Sequence, residues 1–298
     1  MTTVAVLGMG RMGSAMARAL GAAGTFDLVL YNRTPERAAK LADELGARVA
    51  NTPAEAASAA DVAISMLADG PAVASAWEGE DGLLAGAHPG SVLVDSSTVP
   101  PDTLPPYAAR ARDAGAGILD APVSGSVSLA ETGKLTIMAG GSADTLERAR
   151  PVLDRLAQRV FHMGPLGSGH AMKLAVNGVV FALANAVSEA LVLAERAGID
   201  RELAYEVLAT GAAGAPLVTY KREAFLDPDN APVAFSLDLA SKDLGLITTF
   251  AQALGVPMPQ VAANRILVDD AADAVGPDRD FAAVAVHLRA LAEEGRTD

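Results

Sequence analysis

Up to about residue 160 the chain alternates short, continuously apolar runs with alanine-rich stretches. The runs TVAVLG, LVLYN, ARVA, DVAISML and SVLVDSS predict strands, and LTIMAGG and RVFHMG predict two more. Between them Met12–Ala22 and Pro35–Leu45 predict helices, the second opened by Thr34 as cap and a proline at the first helical position. Strands that are apolar throughout and alternate with helices imply a parallel sheet covered on both faces. Past Gly169 the strand signals stop. His170–Ala197 reads as one long helix closed by Gly198, followed by helices over Arg201–Ala209, Leu217–Phe225, Leu237–Leu254, Pro259–Ala274 and Phe281–Glu294. The boundary is expected in MGPLGSG, Met163–Gly169. It separates an α/β domain over 1–163 from an all-helical domain over 164–298, with the long helix joining them.

Composition narrows the picture. The chain has 298 residues, 51% of them hydrophobic but only 4% aromatic, so a sizeable core must be built from Ala, Val and Leu. A net charge of -13 argues against nucleic acid and anionic membrane surfaces as partners, and requires local cationic groups wherever an acidic ligand binds. With no cysteine, disulfides, thiolate metal sites and a cysteine nucleophile are excluded. No basic segment precedes TTVAVLG, so no signal peptide is expected. The run Leu174–Ala194 is long enough to suggest a membrane span. It holds Asn177, Asn185, Ser188 and Glu189 and lacks a basic flank, which favours a buried helix and a cytoplasmic protein. His88, His162, His170 and His287 are scattered without ligand spacing, so no metal site is expected.

The first apolar run leads into GMGRMG, a G-x-G-x-x-G arrangement of Gly8, Gly10 and Gly13 with Met9, Arg11 and Met12 between them. It follows a strand and opens a helix, the context in which such a loop binds a dinucleotide. Gly8 permits the tight turn, Gly10 lets the backbone approach a pyrophosphate, and Gly13 lets helix and strand pack closely. The second strand of such a fold usually ends on a carboxylate for the ribose hydroxyls. Here it ends on Asn32, Arg33 and Thr34. Arg33 can pair with a 2′-phosphate and its neighbours can hydrogen-bond to it, so NADP(H) is expected over NAD(H). Met66, Leu67, Ser97 and Thr98, which follow later strands, complete the expected cofactor-binding set.

Two further stretches carry candidate chemistry. In DAPVSGS, Pro122 ends a strand, and Ser124 and Gly125 offer a hydroxyl and an unhindered N–H to a carboxylate; an ordinary surface turn would read the same way. In SGHAMKLAVN, Lys173 is the only Lys, Arg, Asp or Glu between Arg159 and Glu189. Apolar flanks disfavour its charged form and bring its pKa toward the working range of a general acid or base. Asn177, four residues on, shares its helical face and can both donate and accept. A lysine snorkelling from a helix start is the plain alternative. Lys242 and Asp243, in SLDLASKDLGL, read on their own as a solvated pair.

Together these pieces resemble the β-hydroxyacid dehydrogenase family, of the 3-hydroxyisobutyrate dehydrogenase type, over nearly the whole chain and in the family's order. GMGRMGSAMARAL looks like its dinucleotide loop, DAPVSGS its substrate segment, GSGHAMKLAVN its catalytic segment and KDLGL its late motif. The resemblance implies a Rossmann-like domain, a long helix and an all-helical domain. It implies that Lys173 is the catalytic lysine, with Asn177 beside it. Ser124, Gly125, Ser126 and Asp243 would then serve a small carboxylate-bearing substrate, and Lys242 would border both cofactor and substrate. It further implies a homodimer or homotetramer. The family usually reads S-G-G where this chain has Ser124, Gly125 and Ser126. Imine reductases resemble the fold but usually carry another residue at the lysine position. The 6-phosphogluconate dehydrogenases carry K-x-x-H-N, where Val176 stands here. The expected activity is interconversion of a small 3-hydroxy acid and its semialdehyde; an imine-reductase-like enzyme or a non-catalytic NADP-binding sensor are the alternatives. The apolar character of the long helix on nearly all sides also predicts that other chains cover part of it.

Overall fold

The protein is described here from a computed structural model that covers residues 1–294. The chain divides into two compact units, Met1–Lys173 and a second that begins at Leu174. The division falls inside the long helix rather than in the glycine-rich stretch before it.

The first unit runs β1 (Thr2–Leu7), α1 (Arg11–Ala22), β2 (Phe26–Tyr31), α2 (Pro35–Leu45), β3 (Arg48–Val49), α3 (Pro53–Ser58), β4 (Val62–Ser65), α4 (Gly70–Trp77), α5 (Leu83–Gly86) and β5 (Val92–Asp95). It continues with α6 (Ala108–Asp113), β6 (Gly117–Asp120), β7 (Val123–Ser124), α7 (Val127–Glu131), β8 (Leu135–Gly140), α8 (Ala143–Leu156) and β9 (Ala157–Gly164). The strands form one sheet in the order β3-β2-β1-β4-β5-β6-β8-β7, with β9 paired to β8. From β3 to β6 every pairing is parallel. β8 then runs antiparallel to β6 and β7 and parallel to β9. The sheet is therefore parallel-dominated rather than wholly parallel. The link from β6 to β8 is interrupted by Pro122, β7 and the single turn of α7, and such a link can fold back but cannot build a full crossover helix.

Alternation along the strands covers both faces. Val4, Val6, Leu28, Leu30, Val62, Ile64, Val92 and Val94 enter one apolar cluster. Ala5, Leu7, Val29, Ala63 and Leu93 enter the other. The carboxyl ends are in register: Leu7 lies opposite both Tyr31 and Ser65, Ser65 opposite Asp95, and Asp95 opposite Asp120. The strand order reverses between β1 and β4, where an open sheet of this kind forms its crevice.

Helix α9 spans Ser168–Arg196, 29 residues. The second unit then contains α10 (Arg201–Thr210), α11 (Pro216–Tyr220), α12 (Arg222–Leu226), α13 (Leu237–Ala253), α14 (Pro259–Val275) and α15 (Val284–Glu294). Leu174, Phe181, Ala184, Val187 and Leu191 of α9 pack with Leu237, Leu244, Ile247, Val261, Val268 and Phe281 in one core. The helix expected over Leu217–Phe225 is broken at Lys221, whose ammonium is 2.5 Å from Asp280 and 4.0 Å from the centre of the Phe281 ring. Asp280 also accepts the N–H groups of Ala234, Phe235 and Ala282, so one buried ion pair joins three segments. Burial pushes the Lys221 ammonium below its ordinary range, against the pull of Asp280. α9 is not covered all round: Val179 is 69% exposed and Leu193 is 72% exposed. Among the described residues it is the one helix long and apolar enough to cross a membrane, but half of that window is buried inside the protein.

Close packing of α1 on β1 depends on Gly13, where a Cβ would sit 2.0 Å from the carbonyl oxygen of Gly8. A Cβ at Gly10 would meet nothing within 4 Å. Gly13→Ala is therefore expected to cost about 1–3 kcal/mol, the range for overpacking. Gly10→Ala should cost only the difference in capping at the start of α1, under about 1 kcal/mol. Thermal unfolding of the two variants without ligand checks the contrast, and equal melting temperatures would contradict it.

Candidate active site

The glycine loop lies at the sheet's switch point. Gly8 has φ +100, and a Cβ there would strike the Met66 carbonyl oxygen at 2.3 Å, so the turns after β1 and β4 approach as closely as glycine allows. No side chain caps α1. Its first N–H groups, beside the open space at Gly10, form the kind of cradle that suits a pyrophosphate. Asn32 holds this loop from the end of β2. Its amide oxygen accepts the Met9 N–H at 2.8 Å, and its amide nitrogen donates to the Thr34 carbonyl at 2.9 Å. Asn32 is thus a brace between loop and strand, and Arg33 and Thr34 are left as the exposed groups beside it. A cavity of about 500 Å³ opens there, lined by Gly8, Gly10, Asn32, Arg33, Thr34, Arg37, Met66, Leu67 and Asp69 among others. The sequence reading passed over Arg37, whose place in the first turn of α2 was the available signal.

Farther along the same edge the polar groups are buried. Asp95 and Asp120, ending β5 and β6, are both 0% exposed. Asp95 accepts from Ser65 Oγ at 2.6 Å and Ser97 Oγ at 2.8 Å. Ser65 in turn accepts from the Trp77 indole at 3.0 Å, and Ser97 Oγ accepts the Leu67 N–H at 2.9 Å. Asp120 takes the backbone N–H of Gly167 on one oxygen and that of His170 on the other, each at 2.7 Å. A helix normally draws this capping acceptor from its own N-terminal residue. Here Gly167 has no side chain, and β6 supplies the carboxylate instead. The contact is tight: a Cβ at Gly169 would lie 2.2 Å from the Met138 carbonyl oxygen. Burial raises the Asp120 pKa above its ordinary value, opposed by His170 and the two N–H groups. The His170 ring is buried between the carboxylates, with Nε2 3.1 Å from Asp95 Oδ2. One turn along this docked helix comes Lys173, half-buried.

The other expected site residues fall into two groups. Ser124 ends β7 opposite Thr136 of β8, and Gly125 adopts φ +141. Ser126 caps α7: its hydroxyl accepts the Leu129 N–H at 3.2 Å and lies 2.8 Å from Ser128 Oγ. Thr98 is half-buried beyond β5. In the second unit Asn177 is buried and donates to Asp243 Oδ2 at 2.7 Å. The Lys242 ammonium lies 2.9 Å from the other Asp243 oxygen, an ion pair by distance without hydrogen-bond alignment. Asp243 is 1% exposed, so the pair read as solvated has a buried carboxylate that fixes the Asn177 amide. Sequence reasoning missed Asp95, His170 and Arg37. An aspartate closing an otherwise apolar strand, as in VLVD and GILD, was the legible sign of the first network.

Residues 3–164 match the model of the NAD binding domain of 6-phosphogluconate dehydrogenase, and residues 167–288 match that for NAD-binding of NADP-dependent 3-hydroxyisobutyrate dehydrogenase. The chain is 34% identical over 288 residues to glyoxylate/succinic semialdehyde reductase 2, chloroplastic, of Arabidopsis thaliana, covering 97% of this chain and 80% of that protein. It is 35% identical over 293 residues to 3-hydroxyisobutyrate dehydrogenase of Pseudomonas aeruginosa, covering 95% and 97%. The crystal structure of 3-hydroxyisobutyrate dehydrogenase from Salmonella typhimurium superposes with a TM-score of 0.86 at 29% identity, covering 96% and 99%.

Proposed function

The chain belongs to the β-hydroxyacid dehydrogenase family and is a nicotinamide-dependent oxidoreductase of CH–OH groups, and within that activity we propose that it interconverts a small 3-hydroxy acid and its semialdehyde with NADP(H) preferred over NAD(H). The observation that carries this reading is the docking of α9 on Asp120: it fixes the turn before Lys173 to the same carboxyl edge that carries the glycine loop. When bound at the glycine loop, the nicotinamide cofactor would supply the hydride chemistry. Lys173 donates a proton to the carbonyl oxygen of the semialdehyde during reduction, and in the neutral form takes the hydroxyl proton during oxidation. Ser124 and the Gly125 N–H receive the substrate carboxylate. Ser126, next in that turn, caps α7 through its hydroxyl, and its added hydroxymethyl group bears on the substrate shape accepted. Asn177, held by Asp243 through its amide nitrogen, keeps its carbonyl oxygen as an acceptor for substrate or lysine. The lysine also favours this reading over imine reduction.

Cofactor preference follows from charge. No carboxylate ends β2, and Arg33 and Arg37 border the cavity beside it. Guanidinium groups there favour a 2′-phosphate, which only NADP(H) carries. We assign the protein to the cytoplasm as a homodimer or homotetramer. Val179 and Leu193 stand exposed on α9 with the exposed Ala186 midway between them, a seven-residue spacing that presents one apolar stripe to a second copy.

Three outcomes are expected. Lys173→Ala lowers kcat by about 10²–10⁴-fold with NADPH affinity nearly unchanged, the usual worth of general acid catalysis. A kcat equal to the parent's would refute the assignment. Arg33→Ala weakens NADPH by about 10–100-fold, the worth of one charge-assisted contact, and NADH far less. Equal losses in titrations of both cofactors would count against Arg33 as the phosphate partner. Sedimentation at micromolar concentration gives a multiple of the 30.2 kDa chain, and an active monomer would remove the proposed assembly.

A further inference from the structure

His170 is a buried titratable side chain that the reaction above does not use. Its backbone N–H and that of Gly167 bind the two oxygens of Asp120, which anchors the end of α9 to β6. Its ring reaches the neighbouring strand, with Nε2 3.1 Å from Asp95 Oδ2. Its Nδ1 lies 4.0 Å from Asp120, beyond hydrogen-bond reach, and has no hydrogen-bond partner among the described residues. Nε2 therefore carries the hydrogen that Asp95 accepts. Asp95 already has Ser65, Ser97 Oγ and the Ser97 N–H as donors, so it does not need the imidazole for satisfaction. The bond serves the helix. Two backbone contacts at one carboxylate fix where α9 begins, and a side-chain bond to a second strand fixes its rotation about its axis.

Lys173 lies three residues on, about 4.5 Å farther along the axis and about 60° around it. A group 5–6 Å from a helix axis moves about 1 Å for each 10° of rotation. Misplacement by about 1 Å can cost about 10²-fold in rate. We propose that His170 is a positioning residue for Lys173, setting the rotation of the first turn of α9 through its Nε2 bond to Asp95. This rests on Lys173 being the acid/base group.

Two amide substitutions separate the bond from mere polarity. The Nε2 of His170→Gln can occupy the place of the histidine Nε2 and donate to Asp95. The shorter amide of His170→Asn reaches only the place of Nδ1. The expected result is His170→Gln within about threefold of parental kcat, and His170→Asn lower by about 10–100-fold, both with parental KM and NADPH affinity. Equal kcat in the two variants, or a loss of His170→Asn confined to KM or NADPH affinity, overturns the proposal. A His170→Asn protein that does not fold, beside a fully active His170→Gln, also overturns it, because the network would then serve folding alone. Lys173→Ala is run alongside. If that variant keeps parental kcat, the reading of the lysine fails, which is distinguishable from failure of the histidine's role.

Discussion

A carboxylate with no exposure, pinned by two backbone N–H groups, governs how this protein presents its chemistry. Asp120 stands where an α-helix needs an acceptor, and a helix of 29 residues begins on it. Burial makes the charged form expensive, and the helix N-terminus offsets part of that cost. The glycines around it follow from this contact. A Cβ at Gly140 would lie 2.3 Å from Asp120 Oδ1, and one at Gly169 would meet the β6 and β8 backbone. The motif GSG before the lysine is thus a packing requirement of the cap, and the lysine inherits its place from it.

The same edge shows how one sheet divides its work. At the switch point between β1 and β4 it offers open backbone N–H groups and cationic side chains. Two strands farther on it offers buried carboxylates, Asp95 and Asp120, already engaged by hydroxyl, imidazole and backbone donors. The first half can receive a ligand, and the second holds a helix. Each half uses strand ends brought into register by parallel pairing, so the division follows from topology.

Much of this was legible in the residues. Continuous apolar runs gave the strands, and the glycine spacing with its strand–helix context marked the dinucleotide loop. The apolar isolation of Lys173 marked α9. Strand direction was not legible, because LTIMAGG reads the same whichever way it pairs, and only the short link after Pro122 turns it antiparallel. Nor was the break at Lys221, since its partner Asp280 is 59 residues away. The histidine network escaped for the same reason: Asp95 and His170 are 75 residues apart, and periodicity carries no information at that range. Asn32 was read as a ligand-facing group; it lines the cavity, and its bonds to Met9 and Thr34 add a bracing role that no local pattern shows.

That last feature bears on how such a protein can diverge. In many dinucleotide folds the residue at the end of the second strand chooses the cofactor, by a carboxylate on the ribose hydroxyl or an arginine on the 2′-phosphate. Here bracing of the loop and the proposed choice of cofactor fall to different residues. Asn32 maintains the architecture, and Arg33 and Arg37 face the cavity with no structural bond to the loop among their described contacts. With the arginines in the role proposed for them, selectivity is modular: it can drift under selection through exposed side chains while the inherited loop geometry stays intact.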